Sequence, residues 1–70
     1  MSKDNEYYYR KALRDRVRIH LGPSIALDLV EGFISCYDAR EHSKANEIRQ
    51  DAKDQGYKLA VSYMNQYCDL

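Results

Sequence analysis

The chain has 70 residues, and its 11 basic and 11 acidic side chains give it a formal net charge of zero at pH 7. That length predicts one domain, residues 1–70, near the lower limit at which a single hydrophobic core supports a fold without disulfides or metal ions. Leu, Ile, Val and Tyr are too frequent for a disordered chain, and no apolar run approaches the roughly 20 residues that cross a bilayer, so disordered and membrane-spanning classes are excluded.

The first predicted element is an amphipathic helix over residues 5–21. Gly22 can adopt the left-handed conformation that ends a helix, and Pro23 cannot continue one, so the helix is predicted to end there. Residues 1–5 are expected to fray. Apolar positions in this segment recur every three or four residues, which is typical of a helix with one buried stripe. These positions are Tyr9, Ala12, Leu13, Val17, His20 and Leu21.

A second helix is predicted over residues 24–40. Pro23 favours its first turn, and acidic residues near its start favour its positive end. Its apolar side chains cover most of the circumference, which is the pattern of a helix buried on more than one side. We therefore expect the central helix of the fold, with Leu27 and Ile34 either exposed or buried against a second copy of the chain in a homo-oligomer.

The polar segment 38–43 predicts a turn, with Ser43 capping a third helix over residues 44–67. One continuous helix through this segment is the alternative. Gly56 would weaken the third helix by up to about 1 kcal/mol relative to Ala, and it could mark a kink or a close approach of two helices. No alternating pattern typical of strands is present, so the prediction is an all-α, compact three-helix domain. Its predicted core is Leu13, Val17, Leu21, Ile25, Leu29, Phe33, Cys36, Ile48, Ala52, Leu59 and Tyr63.

A row of arginines on the first helix is the strongest functional signal. Arg10, Arg14 and Arg18 are spaced by four residues and lie along one face, with Lys11 beside them and Arg16 elsewhere. The planar guanidinium group can grip a carboxylate or a phosphate with two hydrogen bonds. The row is interpreted as a surface for an acidic protein partner. The alternative interpretation is that the row has no binding role. It would then be a solvated helix face whose cations pair with acids of the same chain or of another copy.

The charges of the chain are unevenly distributed. Residues 10–18 carry five cations and one anion, whereas residues 28–47 carry five acids and two cations. Nucleic-acid binding is the alternative function for the basic segment, but it depends on an uncompensated basic patch, and a net charge of zero counts against it. The leading hypothesis is therefore a non-enzymatic protein–protein interaction module.

The run Tyr7-Tyr8-Tyr9 must expose at least one ring, because successive helical residues lie about 100° apart. Tyr9 is expected in the core, and Tyr7 or Tyr8 at a contact surface, since tyrosine is enriched at protein interfaces. Stacking on bases of single-stranded nucleic acid is a second use. The last helix is expected to lie against the first. Its tyrosines are expected at the edge of the core, and they are Tyr57, Tyr63 and Tyr67.

Catalytic and metal-binding patterns are missing from the sequence. It contains no Gly-rich phosphate loop, no G-x-S-x-G and no H-E-x-x-H, and so short a chain has little room for a substrate cavity. The metal-ligating residue types lack the paired spacing of a zinc site; they are Cys36, Cys68, His20 and His42. We expect no enzyme, no cofactor and no metal ion.

The cysteine content and the N-terminal segment predict a location. Residues 1–6 lack the apolar region of a secretory signal, and two cysteines are few for a small secreted protein. A soluble, cytoplasmic protein is therefore expected, with Cys36 a buried thiol and Cys68 exposed. A Cys36–Cys68 disulfide is the less favoured alternative. His20 is expected to be partly buried near a helix end.

The Tyr- and Arg-rich first helix, the Ile19-His20-Leu21-Gly22-Pro23 turn and the all-helical remainder resemble the small accessory proteins of lambdoid bacteriophages. This resemblance implies a compact helical protein that acts by binding, for example by redirecting a host regulator in the bacterial cytoplasm. It assigns no functional residues. The predicted partner contacts come from the residues alone, and they are Tyr7, Tyr8, Arg10, Lys11, Arg14 and Arg18.

Overall fold

The computed structural model describes residues 2–69, with side chains from residue 7 to residue 69, and α-helix is the only regular secondary structure in that part of the chain. The all-α class is confirmed, but the prediction of three helices is wrong. None of the helices within residues 2–69 combines the length and the apolarity that a bilayer crossing requires. The described elements are α1 (Ser2–Leu21), α2 (Ile25–Asp38), α3 (His42–Asp54) and α4 (Lys58–Cys68).

The boundary between α1 and α2 lies where Gly22 and Pro23 predicted it. Gly22 does not have a positive φ, so the left-handed conformation is not the reason for a glycine there. A Cβ at this position would lie 2.5 Å from the carbonyl oxygen of Arg18, so the last turn of α1 leaves no space there for a side chain. Ser24 then caps α2, because its hydroxyl accepts a hydrogen bond from the Leu27 amide at 3.2 Å.

The turn between α2 and α3 is a Schellman motif centred on an arginine. The Glu41 amide donates to the Cys36 carbonyl at 2.8 Å, and the Arg40 amide donates to the Tyr37 carbonyl at 3.0 Å. Arg40 has a φ of 62°, a conformation that usually favours glycine. The predicted turn is therefore confirmed and the continuous helix is wrong, although α2 ends at Asp38, two residues earlier than expected.

The start of α3 differs from the prediction. The helix begins at His42, and Glu41 occupies the cap position without a side-chain hydrogen bond, so the prediction that Ser43 caps this helix is wrong. Glu41 instead pairs with Lys44 at 3.0 Å. This hydrogen bond and the negative charge of Glu41 raise the pKa of Lys44 above its ordinary value.

A second Schellman motif divides the predicted third helix into α3 and α4. Gly56 has a φ of 85°, the Tyr57 amide donates to the Ala52 carbonyl at 2.9 Å, and the Gly56 amide donates to the Lys53 carbonyl at 3.1 Å. The left-handed glycine ends the helix completely instead of bending it. The chain therefore folds back once more, and α4 packs on α1, α2 and α3.

Much of the predicted core is correct. Leu13, Val17, Phe33, Ala52 and Tyr63 are buried. Further predicted residues are half-buried and pack against this core, namely Leu21, Leu29, Cys36 and Ile48.

Two predicted core residues are exposed because of their positions in the helices. Ile25 is 62% exposed in the first turn of α2, and Leu59 is 51% exposed on α4. The break at Gly56 resets the helical phase, so the periodicity carried over from α3 no longer applies to Leu59. The buried positions of α4 follow their own i, i+3, i+4, i+7 spacing, and they are Ala60, Tyr63, Met64 and Tyr67.

The prediction that Leu27 and Ile34 are exposed, or are buried against a second copy of the chain, is wrong. Ile34 is only 2% exposed within the single chain, and Leu27 is half-buried against the core. The reason is that α2 is covered by α3 and α4 as well as α1. The central position of α2 is thus confirmed, and the burial of Ile34 requires no second copy of the chain.

Candidate partner-binding groove on the first helix

The predicted basic row borders an open groove of about 440 Å³ between α1 and the C-terminal ends of α2 and α4. Five of the six predicted partner contacts line it, and the sixth, Tyr8, lies beside it, with its ring edge-on to the Tyr7 ring at a centroid distance of 6.0 Å. The lining residues are Tyr7, Arg10, Lys11, Arg14, Asp15, Arg18, Asp38 and Tyr67.

Helix geometry explains the graded exposure of the row. Leu13 and Val17 point into the core, and Arg10 lies close to the same stripe. Positions four residues apart drift by about 40° around a helix, so Arg14 and Arg18 turn progressively away from the core. Arg10 is accordingly half-buried, whereas the other two arginines are exposed.

Arg10 joins α1 to both helices on the far side of the groove. Its guanidinium carbon lies 5.4 Å from the centroid of the Tyr67 ring, a cation–π distance, and its Nη1 lies 3.9 Å from Asp38 Oδ1. The Tyr67 hydroxyl donates to the same carboxylate oxygen at 2.7 Å. Burial, and then the hydrogen bond to the negatively charged Asp38, raise the pKa of Tyr67 to about 12.

The remaining cations of the groove fall into two groups. Arg18 Nε donates to Glu31 Oε1 at 3.1 Å, so this arginine also pairs with α2. Lys11 and Arg14 form no ion pair with any described side chain. Pairing within the fold is therefore observed for the two outer arginines, and the centre of the row carries cations without described anionic partners.

The tyrosine run lies at the surface. Tyr7, Tyr8 and Tyr9 are 65%, 68% and 63% exposed. The prediction that Tyr9 lies in the core is wrong, because the buried stripe of α1 begins one turn later, at Leu13. By contrast, the packing of the last helix against the first is confirmed, with Tyr67 buried beside Arg10.

Sequence reasoning missed Asp38 and Tyr67 as parts of this groove. In the sequence, Asp38 lies in the polar segment 38–43 that predicts a turn, and Tyr67 is expected at the edge of the core. These two residues lie 29 positions apart in the chain and meet α1 only because α2 and α4 end beside it. No local pattern in the sequence signals that meeting.

The metal-ligating residue types do not gather in the described part of the chain, where no group of three or more His, Cys, Asp or Glu side chains could hold a metal ion. Cys36 and Cys68 are free and half-buried, so the expectation that Cys68 is exposed is wrong. His20 is exposed rather than partly buried, although its Nδ1 contacts the hydroxyl of Tyr63.

Comparisons with known protein families, curated proteins and solved structures find no match to this chain. The resemblance to phage accessory proteins therefore stays a prediction. The functional assignment depends on the geometry and the charge of the groove.

Proposed function

We propose that this protein is a non-enzymatic interaction module that binds an acidic segment of another protein in the α1 groove. The observation that carries the proposal is the position of Lys11 and Arg14, two cations without a described anionic partner at the centre of the groove. The exposed rings of Tyr7 and Tyr8 stand at one end of it. Four cations line the groove against two carboxylates, Asp15 and Asp38.

The mechanism combines an aromatic anchor with electrostatic alignment. Tyrosine offers a large, rigid and amphipathic contact area, and such rings often dominate the binding energy of an interface. Arginines around an anchor speed the encounter and fix its register. Arg10 and Arg18 are held in place by Asp38 and Glu31, so little side-chain entropy is lost when a partner meets them.

An acidic protein segment fits the groove better than a nucleic acid. Asp15 and Asp38 line it and Glu31 stands at its edge, so a continuous phosphate backbone would meet three carboxylates. Nucleic-acid affinity depends on cations that are free to replace condensed counterions. A protein segment can instead place individual carboxylates opposite Lys11 and Arg14.

The resemblance to phage accessory proteins extends this proposal to the kind of partner. In that interpretation the acidic segment belongs to a regulatory protein of the bacterial host, which binding would redirect. A homo-oligomer, proposed from the sequence alone, is consistent with this function only where its interface lies outside the α1 groove.

The test is a charge reversal with a matched control. Lys11→Glu combined with Arg14→Glu reverses the central cations, whereas Arg16→Glu combined with Lys58→Glu makes the same change of net charge outside the groove. The first probe is a fluorescent 12-residue peptide containing Asp, Glu and Leu. Proteins captured from a bacterial lysate are then purified and tested for binding in the same way. We expect the groove variant to bind the peptide at least tenfold more weakly, with unchanged helical circular dichroism, and the control variant to bind normally.

Three results would overturn the proposal. Equal binding of the peptide by both variants would remove the groove from recognition. Tighter binding of single-stranded DNA than of the peptide, with steep weakening by salt, would support the nucleic-acid alternative. A dimer in light scattering that only the groove variant dissociates would show that a second copy occupies the groove.

A further inference from the structure

A second groove, of about 340 Å³, lies between α3 and α4 and shares no residue with the α1 groove. Helix α1 does not pack on α3, so the two grooves are independent surfaces of the described chain. The lining of this second groove contains no carboxylate among the described residues, and it consists of Asn46, Arg49, Gln50, Lys53, Val61 and Asn65.

Arg49 is fixed in this groove by neutral partners. Its Nη2 donates to Asn46 Oδ1 at 2.7 Å, and its Nη1 donates to Asn65 Oδ1 at 3.1 Å. Its guanidinium carbon lies 5.5 Å from the centroid of the Phe33 ring, and Nη1 also lies 3.8 Å from Cys68 Sγ. Arg49 is half-buried and forms no ion pair with a described side chain, so its charge is held in place without being neutralised.

The hydrogen-bond pattern leaves a surplus of donors. Since Asn46 and Asn65 both turn their carbonyl oxygens to Arg49, their amide nitrogens remain as donors, and neither of them has an acceptor among the described residues. A guanidinium group carries five N–H bonds, and the contacts to Asn46, Asn65 and Cys68 use three of those of Arg49. The ammonium group of Lys53, four residues further along α3, adds to this set.

No described acid forms an ion pair with either cation of this groove. The carboxylate of Asp54 accepts a hydrogen bond from the side-chain amide of Gln50 at 2.9 Å. Lys53 forms no ion pair with a described side chain. The second groove is therefore lined by two cations, Arg49 and Lys53, and by two side-chain amide groups whose N–H donors are unused.

We propose that this second groove binds a phosphoryl group in its dianionic form. The charge of such a group, about −1.5 to −2 at pH 7, matches the two positive charges of Arg49 and Lys53. Its three peripheral oxygens can accept from the guanidinium fork, the ammonium group and the amides of Asn46 and Asn65 together. A carboxylate has one charge and two oxygens, so it would leave part of the donor set unused.

The geometry limits the size of the ligand. An open groove of about 340 Å³ accepts free phosphate or the phosphate end of a monoester, but it cannot enclose a large ligand. The hydrogen bonds that fix Arg49 hold the guanidinium group in place before binding, which lowers the entropy lost on association. Arg49, Asn46 and Asn65 are therefore arranged before binding, and only the exposed side chain of Lys53 must be ordered when the ligand arrives.

The test uses nuclear magnetic resonance titrations of the full chain at constant ionic strength with inorganic phosphate, O-phosphoserine and acetate. We expect saturable shifts of the side-chain amide signals of Asn46 and Asn65, with at least one phosphoryl compound binding at least tenfold more tightly than acetate. Phosphoserine binding more tightly than inorganic phosphate identifies a monoester as the ligand, and equal or weaker binding identifies free phosphate. A linear response of equal size to all three compounds overturns the proposal.

The variants locate the effect. Lys53→Gln should weaken phosphate binding about tenfold, whereas Lys58→Gln removes an exposed lysine outside the groove and should leave binding unchanged. Arg49→Lys keeps the charge but removes the fork, and it should weaken binding further. Should that variant fail to fold because the contact with Phe33 is lost, the two lysine variants still decide. Equal affinities for Lys53→Gln and Lys58→Gln would refute the site.

Discussion

Helix α1 and the unit formed by α2, α3 and α4 are stabilised by different kinds of contact. Helix α1 is the longest element, with 20 residues, yet among the side chains described, from residue 7 to residue 69, its buried hydrophobic residues are only Leu13 and Val17. The other three helices supply all the rest, including the small side chains Ala45, Ala52 and Ala60, which allow helices to approach closely. A long amphipathic helix can thus form with little burial, and the side chains it leaves exposed are the ones that line the α1 groove.

Polar contacts join α1 to the other helices. Arg10 meets Asp38 and Tyr67, Arg18 meets Glu31, and His20 contacts Tyr63. Exposed ion pairs of this kind contribute about 0.2–1 kcal/mol each and weaken with salt. The lower local stability of a helix with few buried apolar contacts should be visible in hydrogen exchange, and three substitutions test the comparison.

The largest effect is expected from the substitution Phe33→Ala in α2. Phe33 is fully buried, its ring stacks on Tyr37, and the guanidinium group of Arg49 lies over it. Its removal should lower the free energy of unfolding by about 3–5 kcal/mol. That cost is comparable to the whole stability of a domain this small, about 4–10 kcal/mol, so both regions should unfold together in a urea titration followed by circular dichroism. Leu59→Ala is the control, with an expected cost below about 1 kcal/mol. An equal cost at Leu59 would contradict the burial pattern of α4.

An intermediate effect is expected from Leu13→Ala in α1. The loss of this buried side chain should lower the free energy of unfolding by about 2–3 kcal/mol. The loss should come from weaker packing of α1 on the other helices. Hydrogen exchange should show α1 amides losing protection while the slowest amides of α2 and α4 keep theirs. A uniform loss of protection across all four described helices would show that α1 belongs to the same cooperative unit as the others.

The smallest effect is expected from Tyr67→Phe, where α4 meets α1 and α2. The variant loses the hydrogen bond to Asp38, at a cost of about 1 kcal/mol. The pKa of Tyr67 is raised from 10.0 to about 12 in the folded chain. Above pH 10 the unfolded chain releases this proton first, so the stabilisation is complete below pH 10 and is lost as the pH rises through about 12.

Urea midpoints between pH 9 and pH 12 check this last prediction. The stability of the natural chain should fall more steeply over that interval than the stability of Tyr67→Phe. Parallel curves for the two proteins would mean that the hydroxyl of Tyr67 is neither buried nor held by Asp38 in solution.

Local signals in the sequence located some helix ends and not others. Gly22 and Pro23 predict the first boundary, because a glycine and a proline act through neighbouring backbone groups. Arg40 gave no such signal, since an arginine with a positive φ is uncommon and is held there by the Schellman hydrogen bonds. From the sequence, Gly56 predicts only a weakened helix, a kink or a close approach of two helices, because apolar positions recur every three to four residues on both sides of it.

The sequence by itself determined that the chain is helical, that one turn lies at Gly22, and that Arg10, Arg14 and Arg18 share a face. These properties depend on residues within one or two turns of each other. Only the tertiary structure decided that Asp38 and Tyr67 complete the α1 groove. The physical reason is that burial and pairing between distant positions depend on the directions in which the chain turns at Arg40 and Gly56. Helical periodicity does not determine those directions.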